Sequence, residues 1–243
     1  MRTGWNRLRD IKLPVGSFFV EPTIRPSKPV NFIVKILVWG DIIVNVTGVV
    51  LAGGRSTRMQ SNKAFIEING KRIIDNVLGK LTAELDEVII VTNEPQEYVK
   101  YSNDKVRVVT DIIPGKGPLS GVHSGLIHTS NNIILTVACD MPFLNMDMAK
   151  YMIEVAGESD VVVPIIGNNM EPLFAVYQRK CLQVIERELK QGHLKISRVY
   201  ELLDILYIQE ETIKKFGDPN VLFYNVNNRD DLRKAQEMAR RVI

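Results

Sequence analysis

From residue 46 onward, short runs rich in β-branched and other apolar residues alternate with segments whose apolar positions recur at helical spacing. Strand-like runs occupy 46–52, 87–92, 106–110, 132–138 and 160–164, each bounded by polar turn residues. Between them, 72–85, 119–129 and 147–156 read as helices, with Ile73, Ile74, Val77, Leu78 and Leu81 forming an apolar stripe along the first. Such alternation predicts parallel strands joined by right-handed helical crossovers. A second portion follows, with a strand at 171–177, a helix at 179–190, a strand at 203–208 and a final helix at 230–241. It is expected to add edge strands and antiparallel pairing. Asn69-Gly70 marks a tight turn just before the first helix. No internal repeat or low-complexity segment occurs.

Residues 1–43 break this pattern. They carry Pro14, Pro22, Pro26 and Pro29 and one apolar patch at 32–39. The patch is too short to span a bilayer, is interrupted by Lys35 and Asp41, and lacks the small-residue cleavage site of a secretory signal. Residues 1–43 are therefore expected to be an N-terminal extension and 44–243 a single domain, without a membrane segment. Because Val44-Asn45-Val46-Thr47-Gly48 makes a natural start for a first strand, one hypothesis is that translation begins at Val44 through a non-ATG codon. N-terminal sequencing of protein made from the native gene would overturn it by finding residues 1–43.

Composition narrows the partners. The chain has 243 residues, 45% of them hydrophobic, enough for one large domain. Its net charge of +3 comes from interspersed acidic and basic residues without basic blocks, which points away from nucleic acid and toward a small anionic substrate. Cys139 and Cys181 form no C-x-x-C pair, so neither a disulfide framework nor a zinc site is expected, and a reducing cytoplasm is the simplest compartment. His123 and His128 are five apart on one helix, off the same-face spacing, and with His193 make no metal set.

Candidate chemistry gathers where strands end. Leu51-Ala52-Gly53-Gly54-Arg55-Ser56-Thr57-Arg58-Met59 runs from a buried strand into a glycine-hinged, doubly basic loop, and Lys63 follows. The glycines let the backbone approach a ligand, while Arg55, Arg58 and Lys63 supply charge for phosphates. Neither G-x-x-x-x-G-K-[ST] nor G-x-G-x-x-G is present. The competing reading is a glycine pair with solvated basic residues, Lys63 among them. Asp111 follows the 106–110 strand and heads a glycine-rich loop up to Gly121, so it is either a ligand group or a local helix cap. Val137-Ala138-Cys139-Asp140-Met141-Pro142 ends the most apolar strand on a carboxylate, either solvated or suited to Mg²⁺ shared with phosphates. Cys139 points to the other side of that strand and reads as core rather than nucleophile.

Taken together, 51–63, Asp111, 117–126, 138–142, 171–177 and 225–232 resemble the molybdenum cofactor guanylyltransferases, over the whole stretch from Val46 to the C-terminus. The first loop is shared with many nucleotidyltransferases, including molybdopterin cytidylyltransferases. Gly-Pro-Leu-Ser-Gly-Val-His-Ser-Gly-Leu, Cys-Asp-Met-Pro and Asn-Val-Asn-Asn-Arg-Asp-Asp-Leu narrow the resemblance to the guanylyl branch. It implies an α/β, three-layer, Rossmann-like nucleotidyltransferase fold with a mostly parallel mixed sheet. It implies transfer of GMP from GTP to the terminal phosphate of molybdopterin, or Mo-molybdopterin, with release of pyrophosphate and a requirement for Mg²⁺. The nucleotide-binding residues then fall on Leu51, Ala52, Gly53, Lys63, Asn93, Asp111 and Asp140, with Asp140 also the metal ligand. Arg55, Arg58, Lys63 and Asp140 are the expected catalytic set, neutralising the triphosphate and the leaving group. Where the family usually has a glycine and an aspartate, this chain has Gln60 and Asn62. Glu171-Pro172-Leu173-Phe174 and the basic run 190–195 are candidates for the pterin, although Gly192 there also reads as a helix stop. Molybdoenzymes and cofactor-assembly proteins are the partners the family implies. The alternatives are a cytidylyltransferase acting on the same cofactor or a related small-molecule nucleotidyltransferase, and a nucleotide-binding module without turnover, against which Lys63, Asp111 and Asp140 argue.

Overall fold

Val46–Leu51 (β1) is buried along its whole length, with Val46 and Val50 facing one apolar core and Val49 and Leu51 the other. A strand covered on both faces belongs in the middle of a sheet sandwiched by helices. The computed structural model describes residues 38–39, 42–43, 45–53 and 63–241, all within one compact unit, Ile36–Ile243. Val44, Arg55, Arg58, Gln60 and Asn62 lie outside the described residues, as does almost all of the extension.

The main sheet comprises β1, β2 (Glu87–Val91), β3 (Val106–Val109), β4 (Ile133–Ala138), β5 (Val161–Ile166), β6 (Asn169–Met170), β7 (Phe174–Gln178) and β8 (Ile205–Ile208). Its order is β6-β5-β7-β4-β1-β2-β3, with β8 on β5. The β4-β1-β2-β3 block is parallel, with Val50 opposite both Ile90 and Val137. On one face lie α1 (Ile73–Glu84), α3 (Met146–Glu154) and α5 (Arg229–Arg241), burying Ile74, Val77, Met148, Met152 and Ala235. On the other lie α2 (Pro118–His128) and α4 (Leu182–Lys190), burying Leu119, Val122, Leu126, Ile185 and Leu189. This is the three-layer, mostly parallel mixed α/β arrangement expected, and the predicted stripe of α1 is wholly buried.

The differences are local and have physical causes. The strand expected from residue 171 begins at Phe174, because 171–174 closes a turn in which the Phe174 N–H donates to the Glu171 carbonyl at 3.0 Å. Antiparallel pairing does occur, but β7 pairs on both sides, with β4 and β5, and is internal rather than an edge. The strand expected at 203–208 is β8, and it pairs parallel to β5, not antiparallel. Asn69 and Gly70 both take positive φ (53° and 76°) in the expected turn, joining the short pair 67–68 and 71–72.

Two glycines set the spacing of the upper layer. A Cβ on Gly121 would lie 2.8 Å from Leu51 Cδ2, and one on Gly125 would lie 2.8 Å from Val49 Cγ1. They are four apart, hence on one face of α2, and bring its backbone against β1. At the amino-terminal edge of the sheet a polar network seals the core: Thr47 and Ser130 donate to Glu87, as do Arg107 and the Ser130 N–H. Burial alone would raise the Glu87 pKa, but these donors overturn that and hold it below the usual carboxylate value.

Gly125→Ala is expected to lower stability by about 1–3 kcal/mol through overpacking against Val49, read as a reduced denaturant midpoint; an unchanged midpoint would contradict the close approach. A depressed folded-state pKa means that Glu87 contributes stability above the unfolded carboxylate pKa and loses it as pH falls through the folded value. Glu87→Gln should therefore be less stable than wild type at pH 7 by about 1–3 kcal/mol, and the gap should close in acid. Urea unfolding at both pH values checks this, and a gap constant with pH would refute it.

Candidate functional site

The chain leaves β1 toward β2 on one side of the sheet and returns to β4 on the other, so the strand order reverses beside β1. In open α/β sheets that is where ligands bind, outside the carboxyl ends of the strands. Backbone bonds hold the four strand tips in line: Ala52 N–H to Val91 carbonyl at 2.8 Å, Thr92 N–H to Val109 carbonyl at 3.0 Å and Cys139 N–H to Leu51 carbonyl at 3.1 Å. Above them opens a cleft of about 770 Å³. Its walls include every expected nucleotide-binding residue: Leu51, Ala52, Gly53, Lys63, Asn93, Asp111 and Asp140. Arg55 and Arg58 cannot be placed, since they lie outside the described residues.

On the β2–β3 side, the Asn93 amide donates to Asp111 Oδ2 at 2.9 Å, while Asp111 Oδ1 is buried with no hydrogen-bond partner among the described residues. Burial pushes the Asp111 pKa above its usual value, against the opposing effects of the Asn93 bond and His123. A buried acceptor without a donor is costly in isolation, which suits a group completed by a ligand N–H or O–H. A Cβ on Gly53 would sit 3.4 Å from the Asn93 amide nitrogen, so the first loop leaves β1 directly against the Asn93–Asp111 pair. Asp111 is not a helix cap: α2 starts from Gly117, with Pro118 in its first turn. Its loop is instead tied to α2 by the Ile112 N–H donating to Ser124 Oγ at 2.9 Å and by Ser120 Oγ donating to the Ile113 carbonyl.

On the β4 side, Asp140 Oδ2 lies 3.9 Å from Lys63 Nζ, with both side chains about one-fifth exposed (19% and 23%). Burial raises the Asp140 pKa and the Lys63 charge opposes it. The sequence-based alternatives of a solvated Lys63 and a solvated Asp140 do not describe these partly buried positions. Lys63 Nζ also donates to Asn227 Oδ1 at 2.6 Å, and the Val226 N–H donates to the Asp140 carbonyl at 3.0 Å. Asn228 Oδ1 meanwhile accepts from the N–H groups of Asp230 and Asp231, starting α5. The Asn-Val-Asn-Asn segment thus docks the C-terminal helix and meets the Lys63–Asp140 pair. Asn227 received no role from the sequence, although it lies in the Asn-Val-Asn-Asn motif that carries part of the resemblance. From below, α1 steadies the turn after Asp140: the Asn76 amide donates to the Pro142 carbonyl at 2.8 Å and Lys80 Nζ to the Leu144 carbonyl at 2.7 Å.

Other candidates fall elsewhere. The basic run 190–195 does not line the cleft. Lys190 pairs with Glu186 at 2.7 Å, and His193 Nδ1 lies 2.9 Å from Glu188 Oε2, while Gly192 (φ 80°) ends α4. The helix-stop reading holds. His123 is 1% exposed, and the described residues contain no group of three or more potential metal-ligating side chains. Cys139 lines the cleft, but burial pushes its thiol, and that of Cys181, up to about 12, away from the thiolate that a nucleophile needs. Among the described residues no helix is long and apolar enough to cross a membrane.

Residues 48–206 match the family described as the MobA-like NTP transferase domain. A probable molybdenum cofactor guanylyltransferase of Pelotomaculum thermopropionicum is 41% identical over 197 residues, covering 81% of this chain and 95% of the relative. The molybdenum cofactor guanylyltransferase of Desulfosudis oleivorans is 38% identical, over 79% of this chain and 94% of its own length. Among solved structures, molybdopterin-guanine dinucleotide biosynthesis protein A of Archaeoglobus fulgidus is similar with a TM-score of 0.70 and 28% identity, covering 80% of this chain and 99% of that one.

Proposed function

The chain belongs to the MobA-like NTP transferase family, and from that premise and the cleft we propose that it transfers GMP from GTP to the terminal phosphate of molybdopterin, or Mo-molybdopterin, releasing pyrophosphate. The reaction is guanylyl transfer, as in the curated relatives' name, and the enzyme is a nucleotidyltransferase. The observation that best supports the assignment of parts is the meeting of Lys63 and Asp140, 3.9 Å apart at the tip of β4, in the same cleft as the Asn93–Asp111 pair.

A phosphate monoester attacks the α-phosphorus of GTP in line, one P–O bond forms, the bond to the β-phosphate oxygen breaks, and pyrophosphate leaves with the electron pair. Two anions must meet and charge must spread onto the departing oxygens, so positioning and electrostatics carry the catalysis. In this reading the nucleoside lies over the tips of β1 to β3, with Gly53 allowing the backbone close to it and Asp111 Oδ1 accepting one of its hydrogen bonds. Lys63, held by Asn227 within reach of both Asp140 and the cleft, neutralises the phosphates. Arg55 and Arg58 are proposed to share that task.

The Asp140 carboxylate fits Mg²⁺. Lys63 stands too far away to hydrogen-bond it, so its oxygens have room for an ion that takes one or two carboxylates and keeps its other positions for water and phosphate. Bound there, Mg²⁺ would supply positive charge for the phosphate oxygens. GTP and the pterin are the proposed small-molecule partners; molybdoenzymes and cofactor-assembly proteins are the proposed macromolecular ones. Two free cysteines accord with a cytoplasmic enzyme.

Asp140→Ala is expected to cut turnover about a hundredfold or more, about 3 kcal/mol of transition-state stabilisation, while leaving the thermal transition in place. Pyrophosphate release with GTP and molybdopterin measures it, and wild-type turnover in the variant would refute the role of Asp140.

A further inference from the structure

Glu171 occupies the other side of Asp140 from the nucleotide loops. Its N–H donates to the Pro164 carbonyl near the end of β5 at 3.0 Å, and its carbonyl accepts from the Phe174 N–H, which starts β7. β7 runs beside β4, with Phe174 opposite Val137, three residues before Asp140. The 171–174 turn thus stands at the carboxyl edge of the sheet, across β4 from β1, β2 and β3, and its Leu173 forms part of the cleft wall.

The turn is firmly held. The Pro172 carbonyl accepts from Tyr177 Oη at 2.9 Å and from Thr136 Oγ1 at 3.4 Å, and Tyr177 Oη lies 2.7 Å from Tyr200 Oη, both rings being buried. The Glu171 carboxyl group is half-buried, yet among the described residues no hydrogen-bond donor or cation meets it. Burial alone accordingly raises its pKa, to about 7. Two carboxylates away from the cleft differ from that of Glu171: Glu87 has Thr47, Arg107 and Ser130 about it, and Glu188 has His193 and Arg198. A desolvated carboxyl group on a rigid turn whose Leu173 lines the cleft, without a donor among the described residues, fits a ligand that brings its own.

We propose that Glu171 recognises the acceptor by accepting hydrogen bonds from the adjacent ring N–H and exocyclic amino group of its pterin, an inference that rests on the guanylyltransferase reading above. The 2-amino-4-oxo-pyrimidine ring offers two parallel N–H donors to which a carboxylate is complementary in the bidentate manner. With the nucleoside over β1 to β3 and the pterin at the β7–β5 side, the acceptor's phosphate is brought toward Asp140 from the opposite end of the cleft. Glu171 then fixes which heterocycle is used and leaves the transfer chemistry untouched.

The test is steady-state transfer to molybdopterin by wild type and Glu171→Gln, with pterin and lumazine, its 2-oxo analogue, as competitive inhibitors, and calorimetric titration of GTP into both proteins. Glu171→Gln should raise the KM for molybdopterin about tenfold or more, because its amide N–H₂ faces a donor, with kcat and GTP affinity within about twofold of wild type. Wild type should be inhibited by pterin about tenfold better than by lumazine, and the variant should lose that preference. An unchanged KM, or an equal loss of GTP affinity, would overturn the proposal. If Glu171→Gln lowers the thermal transition sharply, Glu171→Asp, which keeps the carboxylate, is measured in its place: a raised KM with intact kcat supports the role, and a wild-type KM refutes it. Absence of guanylyl transfer by wild type itself would instead strike the proposed function.

Discussion

The seating of α2 on β1 is the constraint on which the cleft depends. With hydrogen in place of a side chain at Gly121 and Gly125, the helix backbone lies directly on Leu51 and Val49, and any Cβ there would lift it. Because Ser120 and Ser124 of that helix hold the carbonyl of Ile113 and the N–H of Ile112, the height of α2 sets where the loop bearing Asp111 stands over the sheet. A Cβ at Gly121 would also come within 4.0 Å of Asp111 Oδ1. The packing that completes the core and the geometry that holds the Asp111 carboxylate at the cleft wall are one contact.

The opposite end of the cleft is built by long-range closure. Lys63, Asp140 and Asn227 come from three distant parts of the chain and meet at the tip of β4. Asp140 is steadied through its carbonyl by Val226, and the turn after it by α1. Two carboxylates, Asp111 and Asp140, are both held with raised pKa values by burial, in a cleft proposed to take anions. Each faces something positive or a donor: Lys63 beside Asp140, and the Asn93 amide on Asp111. Such preorganised polar groups have little to rearrange as charge moves during transfer.

Much of this was legible in the sequence because it obeys short-range rules. Strand and helix alternation follows from periodicity, and the residues that end parallel strands must share one edge, so Gly53, Asn93, Asp111 and Asp140 converge whatever the details of the loops. The direction of β8 and the central position of β7 were not legible, since pairing partners depend on how distant segments cover each other rather than on local pattern. The role of Asn227 was illegible for a similar reason: the Asn-Val-Asn-Asn motif stands out in the sequence, but its contact appears only once Lys63, 164 residues away in sequence, is brought beside it. Asp111 could be a cap or a ligand group until the fold gave the cap to Gly117.

The central claim is that this cleft joins a guanine nucleotide to a pterin phosphate. The most direct measurement mixes purified protein, Mg²⁺ and molybdopterin with either GTP or CTP, and quantifies the dinucleotide product and pyrophosphate together. The account predicts equimolar guanine dinucleotide and pyrophosphate with GTP and little of either product with CTP. Faster transfer from CTP, or no dinucleotide with either nucleotide, would contradict it.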